Sequence, residues 1–271
     1  HPPQQEILAR HLKALASSGH WQVVSATHSS HFVSKNAADI PAVVRLRRSA
    51  GTCEAFQIDE AAWVEIVDAN QTITVIAKKY PKMAKKLHED DSKPEMEAVK
   101  HFLWLNPDRS SVFFANHVLL VEGATEVALV NRLVGDGKIA NADCGLYVLD
   151  CIGKYNIHRF MNLLSRLGVS HAVIHDDDNS EGEHAEINKL IEESKHATLT
   201  LCVKQIAGDL ETMLGIPPAG SDHRKPQHIL YQYDSGKIAS AKVQAFCSLI
   251  EACLPVKASK APVVVSPVEN E

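Results

Sequence analysis

Short apolar runs alternate with longer amphipathic stretches in the second half of the chain. The apolar runs, rich in leucine and β-branched residues, predict strands at His117–Val121, Leu146–Asp150, His171–His175 and Thr198–Val203. Apolar residues at helical spacing between them predict helices at Thr125–Leu133, Asn156–Leu167 and Glu183–Ser194. Strands that alternate with helices form mainly parallel sheets with helices on both faces, so this segment predicts an α/β fold.

The first part of the chain has a less regular pattern. Residues 5–17 carry apolar positions at helical spacing, and the β-rich run Trp21–Val24 predicts a short strand that ends in a polar loop. Residues 41–77 alternate in the manner of strands, including the run ITVIA at 73–77, and Asp59–Val67 is predicted to be a helix within them. This order of elements predicts an α/β piece at the start of the chain.

Changes in composition divide the rest of the chain. Lysines followed by an acidic cluster predict a charged, partly helical linker at 78–112. The main α/β segment is expected at 113–215. A helical element is expected at 216–254, where residues 226–253 have a helical pattern. The tail 255–271 is rich in proline, lysine and valine without periodicity, and is predicted to be disordered.

Charge and residue counts narrow the classes of function. The formal net charge of −5 excludes a basic surface over the whole chain, so contact with a polyanion must come from local patches or metal ions. No apolar run approaches the roughly 18 residues of a membrane-spanning helix. The six cysteines are scattered without a CxxC pair, and the fifteen histidines show no HExxH spacing. We therefore expect reduced, buried thiols and no zinc site.

Four carboxylates stand where two of the predicted strands end. The strand HVLLV runs into Glu122 and Glu126, with a glycine between them for a sharp turn and Thr125 to cap the next helix. The strand AVIH runs into Asp176 and Asp178, which share a face if the segment stays extended. Ligands of open parallel sheets bind beyond the carboxyl ends of the strands, so these four side chains are expected to converge.

Clustered carboxylates repel one another unless a cation neutralises them. Oxygen ligands favour Mg²⁺ or Mn²⁺ over zinc, and a pair of such ions activates a water and stabilises a leaving oxygen. An isolated acidic pair or a DDD run is usually a solvated surface. The two motifs together, each directly after an apolar strand, instead predict a two-metal site for phosphodiester chemistry.

Two motifs carry a family resemblance. HVLLVEGATE at 117–126 and IHDDDN at 174–179 resemble the Toprim domain that topoisomerases, primases, RNase M5-like enzymes and the OLD-family (overcoming lysogenisation defect) nucleases share. The second glutamate, Glu126, and the lead-in FFANH at 113–117 are similar to the OLD branch. The resemblance covers roughly residues 113–215 and implies a Rossmann-like sheet.

This resemblance implies a catalytic metal centre. The first glutamate and the DxD aspartates bind metal in the family, which implies that role for Glu122, Asp176 and Asp178. Glu126, or a water that it orients, would help to generate the nucleophile and is a further candidate ligand. The later DLE element is similar to an OLD-type element and implies Glu211 as an outer metal ligand, with an ordinary acid at a helix start as the alternative.

The N-terminal segment resembles the end of an ABC-type ATPase head. In such heads a His-Pro element, a helix and a strand lead to a switch histidine, which His28 matches and which contacts the nucleotide γ-phosphate. An ATPase followed by Toprim is the OLD architecture, so residues 1–77 are expected to be the C-terminal piece of the ATPase domain. The chain has no GxxxxGK[ST] phosphate loop and no Walker B acid. ATP is therefore expected only in a full-length parent, and ATPase activity is not expected of this fragment.

Several basic residues are candidates for contact with a nucleic acid. A cation near the non-bridging oxygens stabilises a phosphoryl transition state. The resemblance implies a lysine after the Toprim core, for which Lys225 is the first candidate and Lys237 the second, and Lys154 also faces the same sheet end. Each is otherwise a surface lysine. The remaining basic groups either contact a DNA backbone or form a solvated surface: Arg45, Arg47, Arg48 and the lysines of 78–86.

The leading hypothesis is a DNA endonuclease or nickase that uses two Mg²⁺ or Mn²⁺ ions, as part of an OLD-family ATP-dependent nuclease. A non-catalytic ATPase module for DNA binding and dimerisation and an RNase M5-like ribonuclease remain the alternatives. The resemblance also implies a homodimer through ATPase heads, a helicase-like partner and a role in phage defence. The chain begins His1-Pro2-Pro3 without a charged-then-apolar leader, so we expect a fragment of a cytoplasmic protein with no membrane contact.

Overall fold

The computed structural model of the chain describes residues 2–33, 37–49, 51–85 and 109–255. Its strands are β1 (Val44–Ser49), β2 (Thr52–Gln57), β3 (His117–Val121), β4 (Leu146–Asp150), β5 (Ser170–Asp176) and β6 (Thr200–Ile206). Its α-helices are α1 (Pro2–Ser17), α2 (Glu60–Lys79), α3 (Pro81–Ala84), α4 (Ala124–Gly135), α5 (Ile157–Arg166), α6 (Glu183–Glu193), α7 (Leu210–Leu214), α8 (Lys225–Asp234) and α9 (Ser240–Glu251). Strands β1 and β2 form an antiparallel hairpin, and the other four form a parallel sheet in the order β4-β3-β5-β6.

Strand β3 lies inside the parallel sheet, and all five of its residues are buried. Because side chains alternate along a strand, Val118 and Leu120 pack into an apolar cluster that α2, α5 and α6 cover. Leu119 and Val121 pack on the other face, in a cluster that α4, α8 and α9 cover. Helices therefore lie on both faces of a parallel sheet, and the predicted α/β fold is confirmed.

The predicted elements of the second half match the structure closely. Strands β3 and β4 begin and end where the apolar runs do. Strand β6 begins at Thr200 and continues to Ile206, three residues beyond its predicted end. The helical region predicted at 226–253 contains two helices, α8 and α9.

Two strand predictions in the N-terminal part are wrong. The run ITVIA at 73–77 belongs to α2, where Ile73, Ile76 and Ala77 are buried at helical spacing while Val75 is exposed. One face of α2 packs on the parallel sheet and its helices, which we call the sheet domain. This packing overrides the strand propensity of β-branched residues. The run Trp21–Val24 pairs with no described strand and has no regular structure, because an extended segment without a hydrogen-bonded partner is not a strand.

Arginine side chains dock the β1–β2 hairpin on the sheet domain. The Arg45 guanidinium donates hydrogen bonds to four backbone carbonyls, those of Phe113, Ala115, Leu167 and Gly168, at 2.8–3.2 Å. Arg47 donates to Glu54 and to the Gly168 carbonyl. The donors of these two arginines are thus used within the chain, and the DNA-contact alternative stays a prediction.

The structure tests the remaining sequence predictions only for the residues that it describes. The tail lies outside the described residues beyond Pro255, as does most of the linker, at 86–108. The expectation of buried thiols is confirmed for Cys151, Cys247 and Cys253, whereas Cys53 is exposed. Among the described residues, every helix is too short or too polar to cross a membrane.

Candidate metal centre

The sheet topology brings the two acidic motifs together. Strands β3 and β5 are parallel neighbours, with Leu120 opposite Val173, so their carboxyl ends lie side by side. Glu122 follows the end of β3 and Asp176 is the last residue of β5. The backbone N–H of Asp176 donates a 2.8 Å hydrogen bond to Glu122 Oε1. The expected proximity of the two motifs is thus observed.

Glu126 is fixed at the start of α4. It occupies the third position of the helix, and its Oε2 accepts a 3.0 Å hydrogen bond from the backbone N–H of Gly123. The predicted cap by Thr125 is wrong, because Gly123 is the capping residue and the Glu126 carboxylate takes the free N–H group. Glu126 is only 8% exposed, so its carboxylate is held in the protein interior.

Burial and mutual repulsion make the ionised form of these acids costly. Desolvation raises the pKa of Glu122 to about 7, although the Asp176 N–H and Lys154 oppose the rise. Desolvation, together with the charges of Asp176 and Glu211, raises the pKa of Glu126 to about 7. The pKa of Asp176 is raised to about 8 by desolvation and then by Glu122 and Asp178. The carboxylates are therefore close enough to repel one another strongly.

The segment after Asp176 departs from the extended geometry expected for the DxD motif. Asp178, Asn179 and Ser180 all have left-handed φ angles, of 48°, 59° and 50°. The side chain of Asp177 fixes this turn, because its Oδ1 accepts hydrogen bonds from the N–H groups of Asn179 at 2.9 Å and Gly208 at 2.7 Å. Asp176 and Asp178 thus do not share a strand face, and their arrangement depends on this strained turn.

A buried lysine lies against the DxD motif. Lys154, in the loop after β4, is 5% exposed, and its Nζ donates to the Asp176 carbonyl at 2.6 Å and to Asp178 Oδ2 at 2.7 Å. His184 Nδ1, at the start of α6, lies 3.0 Å from the same Asp178 oxygen. An ammonium group therefore already neutralises part of the acidic site. Lys154 was predicted to face this end, whereas His184 carries no sequence signal that points to it.

The DLE element, at residues 209–211, lies near the same acidic site. Asp209 caps α7, because its Oδ1 accepts a 2.7 Å hydrogen bond from the Thr212 N–H. Glu211 is 8% exposed, and its charge contributes to the raised pKa values of both Asp176 and Glu126. Glu211 is therefore near enough to affect these acids, and its role as an outer ligand stays a prediction.

The two lysine candidates beyond the Toprim core differ in their surroundings. Lys225 begins α8, and its pKa is raised because the charges of Glu211, Asp222 and Asp176 outweigh desolvation. Its Nζ lies 3.4 Å from Asp222 Oδ1 and its side chain is 43% exposed. Lys237 Nζ lies instead 3.2 Å from the Tyr231 hydroxyl and over that ring. The structure thus associates Lys225, and not Lys237, with the acidic residues.

The predicted nucleotide contact, His28, lies in the irregular segment after α1. Its side chain is exposed, and its ring meets the ring of Phe114 edge-on, with the centroids 6.3 Å apart. The neighbouring Ser29 hydroxyl contacts Gln5 in α1 at 3.0 Å. Nothing in these contacts tests a role with ATP, which stays a prediction.

The chemistry of the donor set fits Mg²⁺ or Mn²⁺. The acids of the site offer oxygen atoms alone, which hard divalent cations prefer, and desolvation together with their mutual repulsion raises their pKa values. Within the part of the chain that the structure describes, no three side chains of the ligating types already stand together as an ion would hold them. Glu122 and Asp178 are instead paired with the Asp176 N–H and with Lys154, so ion binding requires these side chains to reorient.

Comparison with protein families agrees with this reading. Residues 113–178 match the family described as "Overcoming lysogenization defect protein-like, TOPRIM domain". The match spans strands β3, β4 and β5 and includes both acidic motifs, so this part of the chain is similar to an OLD-like Toprim domain. Domains of this family indicate a metal-binding enzyme of the nuclease or primase kind, and they typically bind Mg²⁺. No curated protein matches the chain. The ATPase resemblance of residues 1–77 stays a prediction.

Proposed function

From the OLD-like Toprim domain at residues 113–178, we propose that the chain is the nuclease part of a metal-dependent DNA endonuclease or nickase. Five carboxylates would hold two Mg²⁺ or Mn²⁺ ions: Glu122, Glu126, Asp176, Asp178 and Glu211. Such ions, when bound, supply a hydroxide at neutral pH and stabilise the charge on a leaving oxygen. The parent protein would add ATP binding, a DNA partner and dimerisation through its ATPase heads.

One observation carries the proposal. The Glu122 carboxylate accepts a hydrogen bond from the Asp176 N–H although 54 residues separate the two in the chain. Both side chains have pKa values near or above neutrality, which reflects burial among like charges. A fold that desolvates acids in this way, at the end of a sheet where ligands bind, is better explained by a cation site than by a solvated surface.

Three side chains near the acidic site would have different roles in the reaction. Glu126, partly neutral at pH 7, is suited to accept a proton from the attacking water or to orient that water. Lys225, charged and half-exposed beside Glu211, is placed to meet a non-bridging phosphate oxygen. Lys154 keeps Asp178 and the Asp176 carbonyl in position from the interior side.

Cleavage of supercoiled plasmid with Mg²⁺, Mn²⁺ or EDTA tests the proposal. We expect metal-dependent conversion to relaxed or linear DNA by the wild-type chain and its loss in Glu122→Gln, which keeps the size of the side chain. Glu193→Gln is the matched control, because Glu193 is an exposed acid at the end of α6 whose Oε1 lies 3.6 Å from Lys189 Nζ, away from the acidic site. Equal cleavage by Glu122→Gln and wild type would contradict the site assignment.

The same assay separates the two alternatives. Structured RNA offered beside the plasmid under the same metals tests an RNase M5-like activity, and preferential RNA cleavage would replace the DNA proposal. A folded wild-type chain that retains DNA without cleaving either nucleic acid would favour a non-catalytic ATPase module. Circular dichroism of each variant establishes that loss of cleavage does not reflect loss of the fold.

A further inference from the structure

Two cysteines meet at the amino end of the parallel sheet, away from the acids. Cys202 lies near the start of β6, and Cys253 follows the end of α9 by two residues. Their sulfur atoms lie 2.6 Å apart, although 51 residues separate the two cysteines in the chain. Because two cysteines can be bridged only where the fold brings their side chains together, this pair is placed for a disulfide.

The surrounding backbone holds the pair in place. The Cys253 carbonyl accepts a 3.0 Å hydrogen bond from His117 Nε2, and the Cys253 N–H donates to the Ile250 carbonyl at 2.8 Å. Cys202 lies in β6 between Thr200 and Val203, the two paired positions on either side of an irregularity in the β5–β6 pairing. Cys253 is anchored to the start of β3 by the His117 contact and to α9 by its own N–H, so the backbone keeps the two cysteines close.

The two thiols differ in accessibility and in acidity. Cys253 is fully buried, whereas Cys202 is partly exposed. The hydrogen bond with Cys253 lowers the pKa of Cys202 against the effect of desolvation, and Lys204 and Lys195 lower it further. The same contact and burial raise the pKa of the Cys253 thiol. Cys202 is thus the member of the pair that an oxidant in solution reaches and that ionises more readily.

We propose that Cys202 and Cys253 form an oxidation site, in which a peroxide converts the pair to a disulfide that joins the end of α9 to β6. The Cys202 thiolate attacks one peroxide oxygen, the O–O bond breaks, and a sulfenic acid and water form after proton transfer. The Cys253 sulfur then attacks the Cys202 sulfur, the S–O bond breaks and a second water leaves. The two thiols together lose two electrons and two protons, and hydrogen peroxide takes them up to form two molecules of water.

The disulfide would close a loop that contains α7, α8 and α9, and it would therefore stabilise the C-terminal helices on the sheet. The acidic site lies beyond the carboxyl ends of the same strands, past Ile206 and Asp176. Because the cysteine pair sits at the opposite end of β6, the proposal does not depend on the nuclease function. Oxidation is expected to raise the melting temperature by about 5 °C or more and to leave divalent-metal binding unchanged.

Peptide mapping of the peroxide-treated chain under non-reducing conditions tests the proposal. We expect one cross-linked peptide pair that joins Cys202 to Cys253, loss of two of the six free thiols, and full reversal by a dithiol reductant. Cys202→Ser and Cys253→Ser should each abolish the cross-link and the rise in melting temperature. Cys247→Ser is the matched control, since Cys247 is a buried cysteine of the same helix α9, and it should keep both.

Two results would overturn the proposal. One is oxidation of the wild-type chain to sulfinic or sulfonic acids with no cross-link between these two positions. The other is a mixture in which Cys202 pairs with other cysteines, or with a second molecule, as often as with Cys253. Because both results are read on the wild-type chain, the proposal stays testable even if a serine variant fails to fold.

Discussion

The two ends of the parallel sheet bury ionisable groups in opposite ways. At the amino end, burial lowers the pKa of His117 and brings that of His171 to about 4, so both rings are neutral at pH 7. At the carboxyl end, burial raises the pKa of Glu122 to about 7 and that of Asp176 to about 8. Desolvation disfavours the charged form in both places. At the amino end the neutral form of the histidines suits their surroundings. At the carboxyl end the proposed metal site needs the charged form of the acids.

Partners within the chain satisfy the amino end. His117 Nε2 contacts the Cys253 carbonyl at 3.0 Å, and His171 Nε2 contacts the Thr200 hydroxyl at 2.9 Å. Arg45 donates to carbonyls that lie just before β3 and β5. The carboxyl end instead gathers like charges, with Lys154 as a buried cation that the structure places against them. Groups within the chain therefore satisfy the amino end, and under the proposed function an added cation balances the charges of the carboxyl end.

Asp176→Asn is expected to have the largest effect on function. It should lower metal-dependent cleavage by at least about 100-fold, because it removes a ligand and a negative charge from the centre of the acidic cluster. The same change should stabilise the metal-free chain at pH 8 on the order of 1 kcal/mol, since it removes a carboxylate whose pKa is raised by desolvation and then by repulsion from its neighbours. Plasmid cleavage and urea unfolding in EDTA measure the two effects. A loss of stability together with activity would contradict the contrast between the ends.

Arg45→Met tests the amino end. It should lower the free energy of unfolding by about 2 kcal/mol, because four backbone carbonyls lose a charged donor. Arg48→Met is the control on the same strand, because Arg48 is exposed, and its effect should stay within about 0.5 kcal/mol. Urea unfolding gives both values. Mn²⁺ affinity measured by calorimetry should be equal in the two variants, and a selective loss in Arg45→Met would show that the ends are coupled.

The two ends should also give stability opposite dependences on pH. His171 has a folded pKa below its unfolded value, so its contribution is complete above about pH 6.5 and is lost as the pH falls towards 4. Asp176 has a folded pKa above its unfolded value, so its contribution is present below about pH 4 and is lost as the pH rises through 8. Unfolding in EDTA across this range measures both slopes, each of which is at most about 1.4 kcal/mol per pH unit for one group.

Variants assign the two slopes. Asp176→Asn should reduce the loss on the alkaline side alone, to which Glu122 and Glu126 also contribute. His171→Gln should reduce the loss on the acid side alone, to which His175 beside Asp176 also contributes, since burial likewise lowers the pKa of His175 to about 4. Added Mg²⁺ should restore stability at pH 8 more than at pH 6, because deprotonated acids bind the ion. An alkaline slope that persists unchanged in Asp176→Asn would assign it to other groups.

The smallest effect is expected from the lysines beyond the Toprim core. Lys225→Ala should lower the cleavage rate about tenfold with unchanged Mn²⁺ affinity, because Lys225 faces Glu211 and Asp176 without being a ligand. Lys237→Ala is the matched change at a lysine that contacts Tyr231, and it should leave the rate within about twofold. Single-turnover cleavage at saturating Mn²⁺ measures both. A larger loss in Lys237→Ala would reverse the assignment.

The sequence predicted the structure best where the burial of apolar side chains alone determines an element. Strands β3 and β4 are apolar runs bounded by turn residues, so burial alone predicted both ends of each. The run at 73–77 was predicted as a strand because its β-branched residues suit both states, and only the packing of α2 on the sheet domain selected the helix. Local pattern does not contain that tertiary contact.

The candidate site was predictable to a similar extent. Glu122 and Asp176 were found because each directly follows a strand, and parallel neighbours bring strand ends together. The left-handed turn at Asp178 was missed, because it depends on hydrogen bonds from Gly208, 31 residues away from Asp177. His184 was missed for the same reason, since its contact with Asp178 exists only once that turn has formed.

The claim that the carboxyl end of the sheet requires divalent ions is tested most directly by a crystal of the chain grown with Mn²⁺, with diffraction data collected at a wavelength where manganese scatters anomalously. The account predicts one or two anomalous peaks within about 2–2.6 Å of carboxylate oxygens of Glu122 and Asp176, and their loss in crystals of Asp176→Asn. A saturating Mn²⁺ soak that leaves this site without a peak, or with the same peak in the variant, would contradict it.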